Sequence, residues 1–368
     1  LVQVALIPIF VRDFHLSLFE ASFVATFPSL IQLFMHFPSG FLADRFNTRY
    51  LLFASMLIEG LSALIISQIN NFWLLVLGVS LMRMTSSLYH ICGLSQISRL
   101  VKKDKMNRSM GIHNAMGSLG AAIGLVSLAI LLSIASWRWN YAIWAIPIIV
   151  WGFILLKSHH FEAKMTKDSG TKKIVLRKFS FVFSTEFLVF MAIVALRMME
   201  TTGISTFMTT YLVDMRKLSE SVASLIFGLG PFIGIVGSLV GGYLGEKMGA
   251  RKALSLVMAG CILSLAILSM STQIYMIMLV YLVYAFFGNS LWSPMTAMMT
   301  EVTPLTERGM GFSVYFFTEG ITASITPALV AAIIGLFDVW YIFPFSITPL
   351  IAALFMVQLL SRYQKSLK

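Results

Sequence analysis

The sequence predicts an all-α membrane protein of twelve transmembrane helices, built as two pseudo-symmetric six-helix bundles with the first helix truncated. Three observations carry this. Apolar residues make up 58% of the chain and charged ones 12%, against roughly 45–50% and 25% in soluble domains, and mean hydropathy is +0.85. Long apolar runs follow one another, each near or above the roughly 20 residues that cross hydrocarbon. Finally, the polar stretch Gly40-Phe-Leu-Ala-Asp-Arg-Phe-Asn-Thr-Arg49 returns 202 residues later as Gly242-Tyr-Leu-Gly-Glu-Lys-Met-Gly-Ala-Arg251. A repeat of that length, with several apolar runs in each copy, reads as a duplicated bundle.

Taken in order, Leu1–Val11 reads as the outer part of span 1, and Arg12–Leu16 turns the chain back. Ser17-Leu-Phe-Glu20 has the form of a capping box, whose side chains satisfy the first free amides of span 2. Span 2 runs to about Leu42, and further spans fall near 50–68, 73–97, 109–135 and 139–157. A Lys-rich stretch follows, and the second half gives spans near 180–212, 220–245, 253–271, 274–300, 308–336 and 339–361. The expected domains are an N-terminal bundle at 1–158, a connector at 159–179 and a C-terminal bundle at 180–368. Leu218-Ser219 answers Leu16-Ser17 at the same offset, and Arg308-Gly-Met-Gly311 answers Arg108-Ser-Met-Gly111. Carried back from span 7, the offset starts span 1 about twenty residues before Leu1, so part of that span is expected to be missing.

Charge sets the orientation. Of 27 Lys and Arg residues, 21 lie on the side of the repeated decapeptide and in the connector, 4 lie on the other side, and Arg83 and Arg197 lie within spans. Positive loops stay cytoplasmic during insertion, so the decapeptide and both termini are expected to face the cytoplasm of a plasma or inner membrane. The net charge of +11 is thereby used by topology, and no nucleic-acid partner is expected. Cys92 and Cys261 both sit in apolar runs, which implies no disulfide framework, metal cluster or cofactor.

Without a hydrophobic drive between helices in lipid, close backbone approach must hold spans together. Gly230, Gly234, Ser238 and Gly242 recur every four residues on one face of span 8, and Gly120 and Gly124 do so in span 5. Pro28, Pro231 and Pro327 fall within spans as expected kinks.

Ionisable groups inside spans cost roughly 2.5–3.5 kcal/mol each on insertion scales and so mark functional candidates. They are Glu59 in span 3, Arg83 and His90 in span 4, Arg197 and Glu200 in span 7, and Glu319 in span 11. Arg83, Ser87 and His90 share one helix face. Arg83 either binds substrate or pairs structurally with Glu59. Arg197 and Glu200 either serve the substrate or neutralise one another at three-residue spacing. Glu319 is an isolated acid, either coupling or simply hydrogen-bonded. His113, at the start of span 5, is a further coupling candidate, whereas His36, His159 and His160 read as interfacial or loop residues. Tyr281, Tyr284, Trp292, Met198 and Met199 either line a pocket or pack helices, and Asn289 and Ser290 mark the wettest face of span 10.

The repeated decapeptide resembles the G-x-L-A-D-R-x-G-R-R motif of the major facilitator superfamily, and nearly the whole chain fits the resemblance. It implies the major facilitator fold, with spans 1, 4, 7 and 10 around a central cavity, so that Arg83, His90, Arg197 and Glu200 lie on the substrate path. It also implies a cytoplasmic gate. Asp44 would meet the amino end of span 11 with Arg45 and Arg49, beside Gly40, while Glu246, Lys247 and Arg251 would form a twin beside Gly242 on span 5. Glu301 ends span 10 where Arg99 ends span 4, so the two gates are expected to differ. Over a shorter stretch, Ser87-Leu-Tyr-His-Ile-Cys-Gly-Leu-Ser-Gln-Ile-Ser-Arg99 and Met110-Gly-Ile-His-Asn-Ala-Met-Gly-Ser-Leu-Gly120 resemble the fosmidomycin-resistance branch, with Ile91 and Asn114 departing from its pattern. That implies a monomeric secondary transporter, in contact with lipid, moving a small anionic or drug-like solute by alternating access with proton-coupled export. Uptake of an organic anion or sugar is the alternative. A membrane enzyme would need a catalytic cluster that the sequence does not show, and a transport-dead sensor would need a signalling domain or long tail.

Overall fold

The computed structural model describes residues 6–16, 18–157, 181–218 and 220–366. Ser17 of the expected capping box, the connector at 159–179, His159 and His160 lie outside these. The described chain is helical: α1 (Ile7–Asp13), α2 (Leu18–Arg45), α3 (Thr48–Gln68), α4 (Phe72–Leu100), α5 (Met106–Ile134), α6 (Arg138–Lys157), α7 (Thr185–Thr210), α8 (Glu220–Met248), α9 (Ala250–Met270), α10 (Ile274–Ser290), α11 (Trp292–Val302), α12 (Arg308–Leu336) and α13 (Ile342–Ser366). Among the described residues, ten helices are long and apolar enough to cross a membrane. Their flanks expose large apolar side chains such as Leu77, Ile130, Leu263 and Phe355, which only a lipid surround leaves in an apolar medium.

Local chemistry sets the boundaries. Asn47 accepts from the Arg49 amide at 3.0 Å to start α3, and Ser184 accepts from the Phe187 amide at 3.3 Å to start α7. Gly249 begins α9 with φ +86°, a left-handed conformation open to glycine. It stands at the repeat position of Asn47, so the two loops solve the same turn differently. Pro28, Pro231 and Pro327 lie inside unbroken helices. The break falls instead in expected span 10, at Leu291 between α10 and α11. Pro294 has no N–H to donate to Ser290, which ends the α10 hydrogen-bond ladder there.

The chain divides into two compact units. The first holds the described residues of Leu1–Leu100, Gly120–Lys173 and Leu305–Phe317, and the second those of Val101–Leu119, Ile174–Pro304 and Thr318–Lys368. The first turns of α5 fall in the second unit and those of α12 in the first. Glycines are the reason. A Cβ at Gly40 would lie 2.0 Å from Ser313 Oγ and 2.7 Å from Gly309 O, and one at Gly242 would lie 3.1 Å from Gly111 Cα. Only bare backbone allows such approach.

The first unit packs around Phe10, Val24, Leu75, Val79, Trp137 and Tyr141. Its Trp137 ring meets Phe10 edge-on at 5.1 Å and donates to Asp13 at 3.0 Å. The second unit packs around Met208, Tyr211, Leu265, Tyr281, Ile342 and Phe343. In it, the α8 glycine face acts as expected: Gly230 meets Tyr281, Gly234 meets Asn289, Ser238 O accepts from Ser293 Oγ at 2.9 Å, and Gly242 meets α5. A Cβ on Gly120 or Gly124 would meet nothing within 4 Å among the described residues.

Candidate functional site

In the first unit, polar groups on α2, α4 and the first turns of α12 form a column. Arg83 Nη1 donates to Gln32 Oε1 at 3.4 Å. It makes no ion pair within 4 Å with Glu59, although that carboxylate acts on it through space. Of the two readings of Arg83, the structural pair with Glu59 gives way to a bond to an amide. Next, His36 Nδ1 lies 2.9 Å from Ser87 Oγ, which is 3.3 Å from Ser39 Oγ. The His36 ring stacks on Phe316 at 5.7 Å, and His90 approaches the same ring at 6.4 Å. His36 is therefore a buried member of the column. Its position one turn before Gly40 was the available signal, hidden because α12 covers it only in the folded chain.

The column ends at Asp44. Its Oδ1 accepts from Arg99 Nη2 at 2.6 Å and from the Gly309 amide at 2.7 Å, and its Oδ2 accepts from the Met310 amide at 2.8 Å. This is a carboxylate capping the amino end of α12, where free amides and the helix dipole favour an anion. Ser313 Oγ donates to His36 O at 2.5 Å, binding the second turn of α12 to α2. Arg99 also donates to Ala43 O at 3.0 Å. It is the partner of Asp44 that reading the decapeptide alone misses. Arg45 is exposed, with its guanidinium 4.2 Å over the Phe41 ring. Arg49 donates to Leu156 O at the end of α6.

The second unit reuses parts of this plan with altered chemistry. Arg251 donates to Leu360 O on α13 at 3.4 Å, so the final Arg of each decapeptide ties its loop to the last helix of its half. Arg251 also faces Glu301 at 3.9 Å. Arg99 at the end of α4 thus pairs with an acid near the end of α2, whereas Glu301, at its repeat position on α11, faces a base at the start of α9. Glu246, at the repeat position of Asp44, is half-buried, and its Oε2 has no hydrogen-bond partner among the described residues. Lys247 is exposed, and His113 is half-buried on the α5 segment of this unit.

A separate buried cluster lies on α7, α10, α11 and α12. Arg197 Nη1 is 3.7 Å from Glu319 Oε1, its Nη2 donates to Gly288 O at 3.4 Å, and its guanidinium lies 5.1 Å from the Trp292 ring centre. Glu200, fully buried, accepts from Tyr284 Oη at 2.6 Å and from Thr201 Oγ1 at 3.0 Å. Arg197 and Glu200 therefore do not close on one another as i, i+3 neighbours, and Glu319 is not isolated. The break at Leu291 leaves the carbonyls near Gly288 and the ring of Trp292 beside the guanidinium. Asn289 and Ser290 bond their own helix at 2.8 and 2.7 Å and lie under the α8 glycines Gly234 and Gly241.

Helices with apolar flanks, paired charges in their interior and a glycine-seated helix end define a polytopic membrane protein. The profile of the Major Facilitator Superfamily matches residues 1–270 and 196–366, and the chain belongs to that family. A "Nitrite extrusion protein" of Bacillus subtilis (strain 168) is 26% identical over 268 residues, which cover 71% of this chain and 65% of the relative. A "Probable nitrate/nitrite antiporter NarK1" of Thermus thermophilus is 24% identical over 258 residues, covering 66% and 56%. The chain thus matches less than two thirds of the length of either protein. A bacterial homologue of the iron transporter ferroportin, in an outward-facing state, superposes with a TM-score of 0.77 at 16% identity over 98% of this chain and 95% of that one. The human organic anion transporter MFSD10 superposes at 0.73 and 11%, over 97% and 89%. At these identities the likeness is one of fold.

Proposed function

We propose that the chain is a proton-coupled secondary transporter that moves a small anion by alternating access, in the direction of export, across a plasma or inner membrane. Twelve spans in two pseudo-symmetric bundles, with cytoplasmic termini, complete the reading. The carrying observation is the buried cluster of Arg197, Glu200 and Glu319. It sets two carboxylates against one guanidinium, and a surplus buried acid is a group that takes up a proton. Arg83 and Arg197 offer planar guanidinium groups suited to planar oxyanions. The names of the nitrite and nitrate relatives support that substrate class. Asp44 with Arg99 serves as the cytoplasmic latch, held on the amides of α12, and the Arg251–Glu301 pair serves beside its twin.

One observation favours a second reading, uptake with a proton. Arg197 is held by Glu319, so protonating Glu319 frees the guanidinium for an anion, and proton and anion then bind together. Ligands that favour the same state travel together. Proteoliposomes loaded with nitrite or nitrate decide between the readings. Under an inward proton gradient, efflux of internal anion is the result expected for export, and accumulation is the result for uptake. Absence of any gradient-dependent flux from folded protein overturns both.

A further inference from the structure

In the first unit, two imidazoles meet one ring. His36 on α2 stacks on Phe316 of α12 at 5.7 Å with the planes 28° apart, and His90 on α4 approaches the same ring at 6.4 Å. His36 holds α12 a second time through its backbone, since its O accepts from Ser313 Oγ at 2.5 Å. One turn on, Gly40 stands against Gly309 and Ser313. Beyond it, Asp44 caps the Gly309 and Met310 amides. Asp44 is thus the titratable side chain at one end of the seat of α12 on α2, and His36 the one at the other. The walls of this seat are α2, α4 and α12. The matching place in the second unit, at Ser238 and Gly242, is closed by α5 and α11.

The His36 imidazole lies 2.9 Å from Ser87 Oγ through Nδ1, and Ser87 Oγ lies 3.3 Å from Ser39 Oγ. A neutral ring satisfies its one N–H on this hydroxyl when the proton sits on Nδ1. An added proton takes the lone pair of Nε2, and both nitrogens then donate. The second donor meets no acceptor among the described residues while the seat is closed. Neighbouring charges do not relieve it. His90 carries the same sign when protonated, Arg83 is held by Gln32, Arg99 by Asp44, and Glu319, three residues past Phe316, by Arg197. Glu307 and Arg308 stand more than two turns before Phe316. The attraction of a phenyl ring for a cation is smaller than the hydration an ion gives up on burial, so a charged ring favours an open seat with water at Nε2. We propose that His36 is a proton-binding residue of the α12 seat: an added proton loosens the start of α12 from α2, and its loss lets the two close. The inference rests on the latch reading above, names what opens the latch, and is separate from the proton assigned to Glu200 and Glu319.

The test is hydrogen exchange of the full chain in nanodiscs, read by mass spectrometry on the segment 305–313 and corrected for the intrinsic rate at each pH. Exchange is expected to rise on the order of tenfold from about pH 8 to about pH 5. His36→Gln keeps a donor for Ser87 and cannot take up the proton, so its exchange should stay at the high-pH level. His90→Gln should leave the rise in place. Flat exchange in the unmodified chain, a rise that survives His36→Gln, or one that is lost with His90→Gln would each overturn the proposal. A seat that ignores pH while Asp44→Asn still stops transport keeps the latch and removes His36 from it. Should His36→Gln not fold, exchange of the imidazole C2 hydrogen titrates each histidine on the unmodified chain. The His36 midpoint should then coincide with that of the 305–313 amides, and a gap of more than about one pH unit would equally sink the idea.

Discussion

Asp44 receives three charge-assisted hydrogen bonds through two oxygens, from Arg99 and from two amides of α12. Bonds to a charged group contribute about 1.5–3 kcal/mol each, and a charge at a helix end adds up to about 2 kcal/mol when partly buried. Asp44→Asn keeps the shape but loses the charge, so transport in proteoliposomes should fall severely while the protein still purifies folded. A double-mutant cycle with Arg99→Gln should report coupling of about 0.5–3 kcal/mol, and additive effects would remove Arg99 from the latch. The Arg197–Glu319 pair is buried more deeply. Arg197→Gln strands an acid and should destabilise by about 3–5 kcal/mol, whereas adding Glu319→Gln should recover most of that loss in thermal unfolding of the purified protein. Failure of the second change to rescue would mean that Arg197 acts mainly through Gly288 and Trp292.

At the scale of elements, glycines decide where helices meet. The Gly40 face of α2 accepts α12 only because no Cβ intervenes, with Ser313 Oγ 2.0 Å from where one would stand. Gly40→Ala should therefore lower thermal stability and transport together. Gly117 lies on a helix where a Cβ meets nothing within 4 Å, and Gly117→Ala should be neutral or stabilising by up to about 1 kcal/mol. Similar losses from both changes, read as melting temperatures, would refute close approach as the role of Gly40. The break between α10 and α11 belongs to the same scale, since Pro294 cannot donate to Ser290 O and Gly288 O just before it accepts from Arg197.

For the whole molecule, a proton drives transport only if it alters the preference between two states. Glu200→Gln and Glu319→Gln should each abolish accumulation driven by a pH gradient and leave counterflow exchange of the anion intact. Uphill transport surviving in both variants would show that the proton is carried elsewhere.

Much of this was legible in the order of residues. Hydropathy and spacing placed the helices, because a bilayer requires long apolar runs with satisfied backbones, and the repeated decapeptide pointed to the family to which the chain belongs. The acids and bases inside spans were visible for the same reason, since lipid makes each one conspicuous. Partner choice was not visible. Glu319 reaches Arg197, Arg99 reaches Asp44 and His36 lies under Phe316 across 122, 55 and 280 residues of chain, and one-dimensional spacing favours the neighbour three or four residues away. The seating of the start of α12 on the glycine face of α2 likewise arises only when separate helices are set side by side. Solvation by lipid acts on each segment alone and can be read locally, whereas packing and charge pairing depend on distances that exist only in the folded chain.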